Sequence, residues 1–514
     1  MKRIALPALC LTLSCFPAGA GADEAGAHET VTNKTGEIQL SLKQVVAAVL
    51  QGNPQLTISR TDTELAAADA QRVEGLLDTS LSATVKGSEE RVRTVSDFQA
   101  AKTRQMQFSG GISQPLENGN TLGVTASYSR TGQGFNSPLA AQLALFNPSY
   151  RSQIDITYRI ALQRGSDRPD YALGLESVQA RTRAASLNEQ MVTRTLALSA
   201  LNAFYRLSSD DINVDISRQA VQRAREVLSY QKSRQRFGLI EQADALQAEA
   251  LLAARRTDLQ RALAAREADE SSLRRLMRST STRRIALRSH TLPATTSQPD
   301  FDQAEARAIR RRPDIRALDA SLKAAEADLE AARDVDAAQI DMVAQLGSRS
   351  LDARPDIAAG RGFSLKDRYA ALSVEMQDSM GRNGAKSAIR KAELSRQRLA
   401  DQRLQAMEQI RDDLAAAITA IRVGIPNLRM ARLQARAEKK KYAAELKRYR
   451  EGRSDTATLV QFEGELRNAQ LQERLQEQTL QLARHQLDWA TGSLLGKLGI
   501  DRPDSVGQAP RDPQ

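Results

Sequence analysis

Three histidines, two adjacent-aspartate pairs and one glycine-rich loop are the residues of this 514-residue chain whose types could do chemistry. His28, His290 and His485 stand in unlike segments. None has a Cys or His partner three or four positions away, so no transition-metal site is expected. Asp210-Asp211 and Asp412-Asp413 could do acid–base work only in a pocket that shifts their proton affinities. The helical patterning around them places both pairs on charged helix surfaces instead. Gly381-Arg-Asn-Gly-Ala-Lys-Ser387 approaches a phosphate-cradling loop, but Lys386 does not directly follow the glycine. A polar turn after a strand accounts for it better. No Gly-x-Ser-x-Gly elbow is present. The sequence therefore predicts no enzyme, no cofactor and no metal site.

What the chain does carry is a repeat. Asn53-Pro54-Gln55-Leu56 returns as Arg312-Pro313-Asp314-Ile315, each after a short amphipathic helix. The apolar residues before the first proline are Leu42, Val45, Val49 and Leu50; at the same offsets before the second stand Phe301, Ala304, Ala308 and Ile309. Leu81-Ser-Ala-Thr-Val85 matches Ile340-Asp-Met-Val-Ala344, and each copy ends in a long helix stopped by glycine. Arg236-Phe237-Gly238 leads to Asp244-Ala-Leu-Gln-Ala-Glu249, and Tyr449-Arg-Glu-Gly452 to Thr458-Leu-Val-Gln-Phe-Glu463. A duplicated helix–strand–helix unit points to a symmetric object rather than a catalytic cleft.

The elements that position these residues read in order. Residues 1–22 are a secretory leader, with Lys2 and Arg3, an apolar stretch from Ile4 to Phe16, and a small-residue cleavage site at Ala20-Gly21-Ala22. Both cysteines, Cys10 and Cys15, lie within it, which leaves a mature chain without thiols. Lipidation at Cys15 is an open alternative, although Thr12-Leu13-Ser14 fits a lipobox poorly. Removing the leader takes the formal charge from +11 to +9, spread along helices; with an export signal this excludes nucleic acid as the expected partner. Residues 23–40 form a polar tail, 41–280 the first repeat, 281–300 a linker, 301–499 the second repeat and 500–514 a C-terminal tail. Long helices are expected from about Asp170 to Arg236 and from Ser387 to Arg450, the second interrupted and kinked at Gly424-Ile-Pro426. Their shorter partners run over about 241–277 and 456–495. At 1.5 Å per residue each long helix spans roughly 100 Å and must pack against others throughout.

Strands are expected where apolar and polar residues alternate. Ile154, Ile156, Tyr158 and Ile160 alternate with Asp155, Thr157 and Arg159, as in a strand with lipid on one side and a wet lumen on the other. Leu81/Ala83/Val85, Phe108/Gly110/Ile112, Leu122/Val124/Ala126/Tyr128, Ile340/Met342/Ala344/Leu346 and Leu372/Val374/Met376 continue the pattern. Asp155, Arg159, Asp341 and Glu375 then face the lumen. The interval from Leu81 to Ile154 exceeds that from Ile340 to Leu372 by about 41 positions, room for one added hairpin near 104–130. Tyr128, Phe135, Phe146, Tyr150, Tyr158, Phe363 and Tyr369 lie near the strands, where aromatic girdles would place them.

Taken together, the helix before Asn53-Pro54, its echo at Arg312-Pro313-Asp314, and the motifs Phe237-Gly238-Leu239 and Tyr449-x-x-Gly452 resemble the TolC family of trimeric outer-membrane channels over about residues 41–499. The resemblance implies a mainly α protein with a membrane β-barrel: a homotrimer sharing one barrel among outer-membrane lipid, continued by a helical tunnel through the periplasm of a Gram-negative bacterium. It implies a passive channel for drug efflux or type I secretion. A periplasmic adaptor would dock at the tip formed by Phe237, Gly238, Leu239 and Gly452, and link it to an inner-membrane pump of RND or ABC type. It places a closing Tyr–Asp contact on Tyr449 and Asp244. The family's arginine falls on Ser454 and its acidic constriction on Thr458 and Gln461, so those links are not carried over. The competing expectation is a soluble periplasmic coiled-coil protein, with the alternating segments as loops.

Overall fold

The computed structural model describes residues 37–237, 242–288, 299–364 and 366–500. The leader with both cysteines, His28, His290, Gly238 and Leu239 lie outside them. In chain order the elements are β1 (Ile38–Leu40), α1 (Leu42–Gly52), α2 (Pro54–Glu74), β2 (Ser80–Arg91), β3 (Ala100–Pro115), β4 (Thr121–Phe135), α3 (Pro138–Leu143), β5 (Ser149–Ala161), α4 (Pro169–Arg236) and α5 (Gln242–Met277). The second copy follows with β6 (Ile285–Leu287), α6 (Phe301–Arg311), α7 (Pro313–Asp334), β7 (Gln339–Asp352), α8 (Pro355–Phe363), β8 (Arg368–Gln377), α9 (Asn383–Arg450), α10 (Thr456–Ala490) and α11 (Leu494–Leu498).

The short helices start where the side chains dictate. Ser41 caps α1 through a reciprocal capping box with Gln44. Asn53 Oδ1 accepts the Gln55 amide, and Pro54 stands in the first turn of α2, where its missing N–H costs nothing. The repeated apolar positions face inward. Leu42, Val45 and Val49 pack on Leu196, Ala200, Leu201 and Phe204 of α4, and Ala304 and Ala308 pack on Ile410 and Leu414 of α9.

Helices α4 and α9 each run 68 residues. Toward the sheet, α2, α4, α7 and α9 pack side by side in that order. Away from it, α4 pairs with α5, α9 with α10, and α10 lies on α4. The interruption expected at Gly424-Ile-Pro426 does not occur: α9 runs continuously through Pro426. Proline removes one helical hydrogen bond, while neighbouring Gly424 lets Leu480 of α10 approach to contact distance and Ile421 and Leu428 bury beside it.

Two three-residue strands were not foreseen. Ile38–Leu40, at the end of the expected tail, pairs in parallel with Ile285–Leu287 of the expected linker. Leu40 and Ile285 join the core around α1, so the two segments tie the ends of the first copy together. The main sheet is antiparallel with the order β2-β3-β4-β5-β7-β8. None of the described helices is long and apolar enough to cross a membrane.

Candidate functional site

Residues paired across an antiparallel sheet share a face, so the register assigns every side chain. One row runs Leu81–Ile112–Val124–Ile156–Leu346–Ala370, and a second runs Val85–Phe108–Tyr128–Ser152. With Met342, Leu372, Val374 and Met376 these rows form one apolar face across all six strands. Away from one end it is bare, with Leu81 80% exposed, Leu372 70%, Val374 66% and Leu346 60%; at that end α8 lies over it, Ser350 bonding the Ala358 carbonyl and Gly362 standing against Ser152. An apolar stretch of this extent needs a covering, and lipid matches it; beyond Val85, Phe108 and Tyr128 the same face turns polar, with Glu89 paired to Lys102 and Arg104 and with Arg130 beside them. Near one end of it Tyr128 stacks on Tyr150 at 6.3 Å. Toward the other end Tyr158 accepts a hydrogen bond from Asn120 at 2.8 Å.

The four residues expected to line the lumen all fall on the opposite face. Arg159 Nη1 lies 2.8 Å from Asp341 and 2.9 Å from Glu375, tying β5 to β7 and β8. Asp155 accepts hydrogen bonds from Tyr369 and, at 2.6 Å, from Gln153. Opposite charges gathered on this face brace adjacent strands. The competing coiled-coil expectation required these segments to be loops; they are strands of one six-stranded sheet.

At the far end of the helices, Gly452 adopts φ +73° and stops α9, a backbone that side chains with Cβ rarely adopt. Phe237, beside the turn after α4, is 76% exposed. Tyr449 is buried among Val227, Ala248, Tyr442, Leu459 and Leu466, its ring 5.4 Å from that of Tyr230. Among the described residues no hydrogen bond joins its hydroxyl to Asp244; the polar group that acts on it is the Thr456 side chain. Burial holds the Tyr449 phenol above its usual range, and the nearby Asp244 charge adds a little to that.

Sequence reasoning missed a buried ionic cluster above the tip. Glu463 of α10, 2% exposed, receives Arg223 of α4 at 3.0 Å and Arg255 of α5 at 2.7 Å. Asp258 extends it, 3.1 Å from Arg255 and 3.2 Å from Arg467 of α10. These contacts join the α4–α5 hairpin of the first copy to the α10 arm of the second. The only available signal was the placement of Glu463 and Glu249 eleven residues after the two tip glycines.

The expectation that Asp210-Asp211 sits on a plain charged surface also needs correction. Asp211 pairs with Arg266 at 2.6 Å, and Arg266 reaches on to Glu270 and to the Ile285 carbonyl at 2.7 Å. Asp210 is half-buried and hydrogen-bonds Asp269; burial first, then that neighbour, push its carboxyl up to about 7. A carboxyl raised from 3.8 holds its proton longer in the folded protein than in the unfolded chain. Its stabilising contribution is complete below about pH 4 and is lost as pH rises toward about 7. Asp210→Asn should therefore melt higher than the parent at pH 8, by less at pH 5, and about equally only near pH 4, by thermal unfolding in detergent. A melting difference that does not change with pH would show that no proton is held there.

Asp412-Asp413 serves structure too. Arg312 bonds Asp314 at 2.6 Å and reaches Asp413 at 3.4 Å while stacking 4.8 Å over the Trp489 ring. His485 is buried 3.2 Å from the Tyr205 hydroxyl. Among the described residues no group of His, Cys, Asp and Glu could hold a metal ion.

Comparison with known proteins agrees with this geometry. No protein-family model matches the chain, and no curated protein matches it in sequence. Solved structures do. The outer-membrane channel OprN superposes with a TM-score of 0.67 at 18% identity, over 88% of this chain and 90% of its own. The CmeC outer membrane channel of Campylobacter jejuni gives 0.66 at 12%, over 88% and 86%. The open-state MtrE outer membrane channel of Neisseria gonorrhoeae gives 0.61 at 18%, over 88% and 89%. The chain has the fold of TolC-type outer-membrane channels, as the repeat and the two glycine-stopped helices led one to expect.

Proposed function

We propose that three copies of this chain form a passive channel across the outer membrane of a Gram-negative bacterium, continued through the periplasm by their helices. The channel would receive solutes from an inner-membrane pump of RND or ABC type through an adaptor docked at the helical tip. The observation that carries this reading is the sheet: an exposed apolar band from Leu81 through Ile156 to Leu346 and Val374, an opposite face braced by Arg159, and two free edges. A six-stranded sheet of this kind cannot close upon itself around a wet lumen, because barrels of eight strands already have interiors filled by side chains. It must close with copies of itself. The long helices then give reach: about 100 Å from sheet to tip. In this reading Phe237, Gly238, Leu239 and Gly452 form the adaptor-docking tip, and Asp244 and Tyr449 belong to the gate. The pump, not the channel, supplies the energy.

The test is particle mass and conductance together. In mild detergent the protein should have three times the protomer mass, and in planar bilayers it should give ohmic single-channel currents. A monodisperse monomer that gives no current would remove the proposal.

A further inference from the structure

The two copies contribute unequally to the sheet. The first supplies β2, β3, β4 and β5, the second only β7 and β8. The matched segments Leu81–Val85 and Ile340–Ala344 align β2 with β7, which leaves β5 to match β8 and makes the β3–β4 hairpin surplus. The hairpin is not an appendage. It stands between β2 and β5, paired to β2 from Ser80/Ser113 to Arg91/Lys102 and to β5 from Thr121/Arg159 to Thr131/Ser149. Phe108, Ile112, Leu122 and Val124 continue the apolar face. Its turn is seated on the turn that leads into α4. Gly119 has φ +81°, and a Cβ there would collide with the Gly165 carbonyl.

The free edges are β2 and β8, and they run antiparallel to one another because the sheet has an even number of alternating strands. The helical layer ends in the same places: α2 leads into β2, α9 follows β8, and these are the outermost of the four packed helices. Both layers therefore offer β8–α9 of one copy to β2–α2 of the next.

Resting on the three-copy reading above, we infer that the shared barrel has eighteen strands, three sixes, and that the inserted hairpin widens it to the girth of the helical tunnel. Strands about 4.8 Å apart and tilted by about 40° give a perimeter of roughly 113 Å and a backbone diameter of roughly 36 Å. Four helices per copy, twelve in all, at about 8–10 Å apart give a tunnel perimeter of roughly 96–120 Å. Without the hairpin the barrel would measure only about 75 Å around, roughly 24 Å across. The luminal face of the hairpin carries Gln107, Ser109, Gly111 and Ser113 on β3 and Gly123, Thr125 and Ser127 on β4, short and uncharged. Such a wall neither fills the lumen nor holds ions. The barrel then passes bulky polar solutes freely, and the helical tip alone selects by size.

The mature chain lacks cysteine if the leader is removed, since Cys10 and Cys15 are the only two. Single cysteines at Ser82, Thr84 or Lys86 on β2, each combined with Ser373→Cys on β8, can be joined by a short bis-maleimide in the assembled protein. End-on electron-microscope projections of the same particles give the wall diameter. The expected result is covalent trimer from at least one pair and a wall roughly 36 Å across. Trimers cross-linked through β2 and β8 with a wall of roughly 24 Å would overturn the inference, placing the hairpin outside the barrel while leaving the channel intact. Particles with neither ring nor cross-link would overturn the channel reading itself.

Discussion

Glu463→Ala should open the periplasmic end, raising single-channel conductance several-fold over the parent. Glu463 is enclosed, with Arg223 and Arg255 both turned upon it. Removing the carboxylate leaves the Arg223 guanidinium without it and Arg255 with Asp258 alone, in a mostly buried site. Breaking a buried pair in this way costs about 3–5 kcal/mol, far more than the loss of an exposed one. The strain falls between α4–α5 and α10, so the two hairpins should part there rather than unfold. Tyr449→Phe with Asp244→Ala should gain less, because Tyr449 is held by packing against Tyr230 and no hydrogen bond joins it to Asp244 within the chain. Planar-bilayer recordings of the two variants rank them. Parental conductance from Glu463→Ala beside a clear rise from the double variant would place the gate at Tyr449 and Asp244 instead.

The contrast between Glu463 and Glu249 shows where sequence reading stops. The two occupy equivalent places after their tip glycines. Glu249 pairs with Lys232 at 2.9 Å, with both side chains about half exposed; Glu463 is buried among arginines. Duplication makes the two copies alike in local pattern, while packing makes one hairpin's inner face meet what the other's does not. Alternation, by contrast, is a local signal. It sorted Ile154–Ile160 and their partners onto two opposite faces, as the register has them, because alternation is written into each strand separately. The length of α4 was legible for the same reason, as a run without proline. The three-residue strands β1 and β6 were illegible, being too short to show a period, and their pairing spans the whole first copy. The raised proton affinity of Asp210 was also beyond reach, since Asp269 lies on another helix.

Ile156→Arg should nearly abolish heat-resistant trimer in membranes, whereas Thr157→Arg should leave most of it. The two residues are adjacent, yet the register sends them opposite ways. Ile156 lies between Val124 and Leu346 on the bare apolar face; Thr157 lies between Gly123 and Gln345 beside the Arg159 ion pairs. An arginine on the lipid side toward mid-bilayer costs about 2–4 kcal/mol in each copy, and three copies multiply that within one assembly. On the luminal side the same group stays hydrated and meets a glycine on one neighbouring strand, so there is room for it. Equal loss of trimer from both variants would trace the damage to strand formation rather than to lipid, because propensity does not distinguish the faces. Equal tolerance would mean that the exposed row Leu81–Ile112–Val124–Ile156–Leu346 is covered by something other than a bilayer, and the barrel assignment would fall with it.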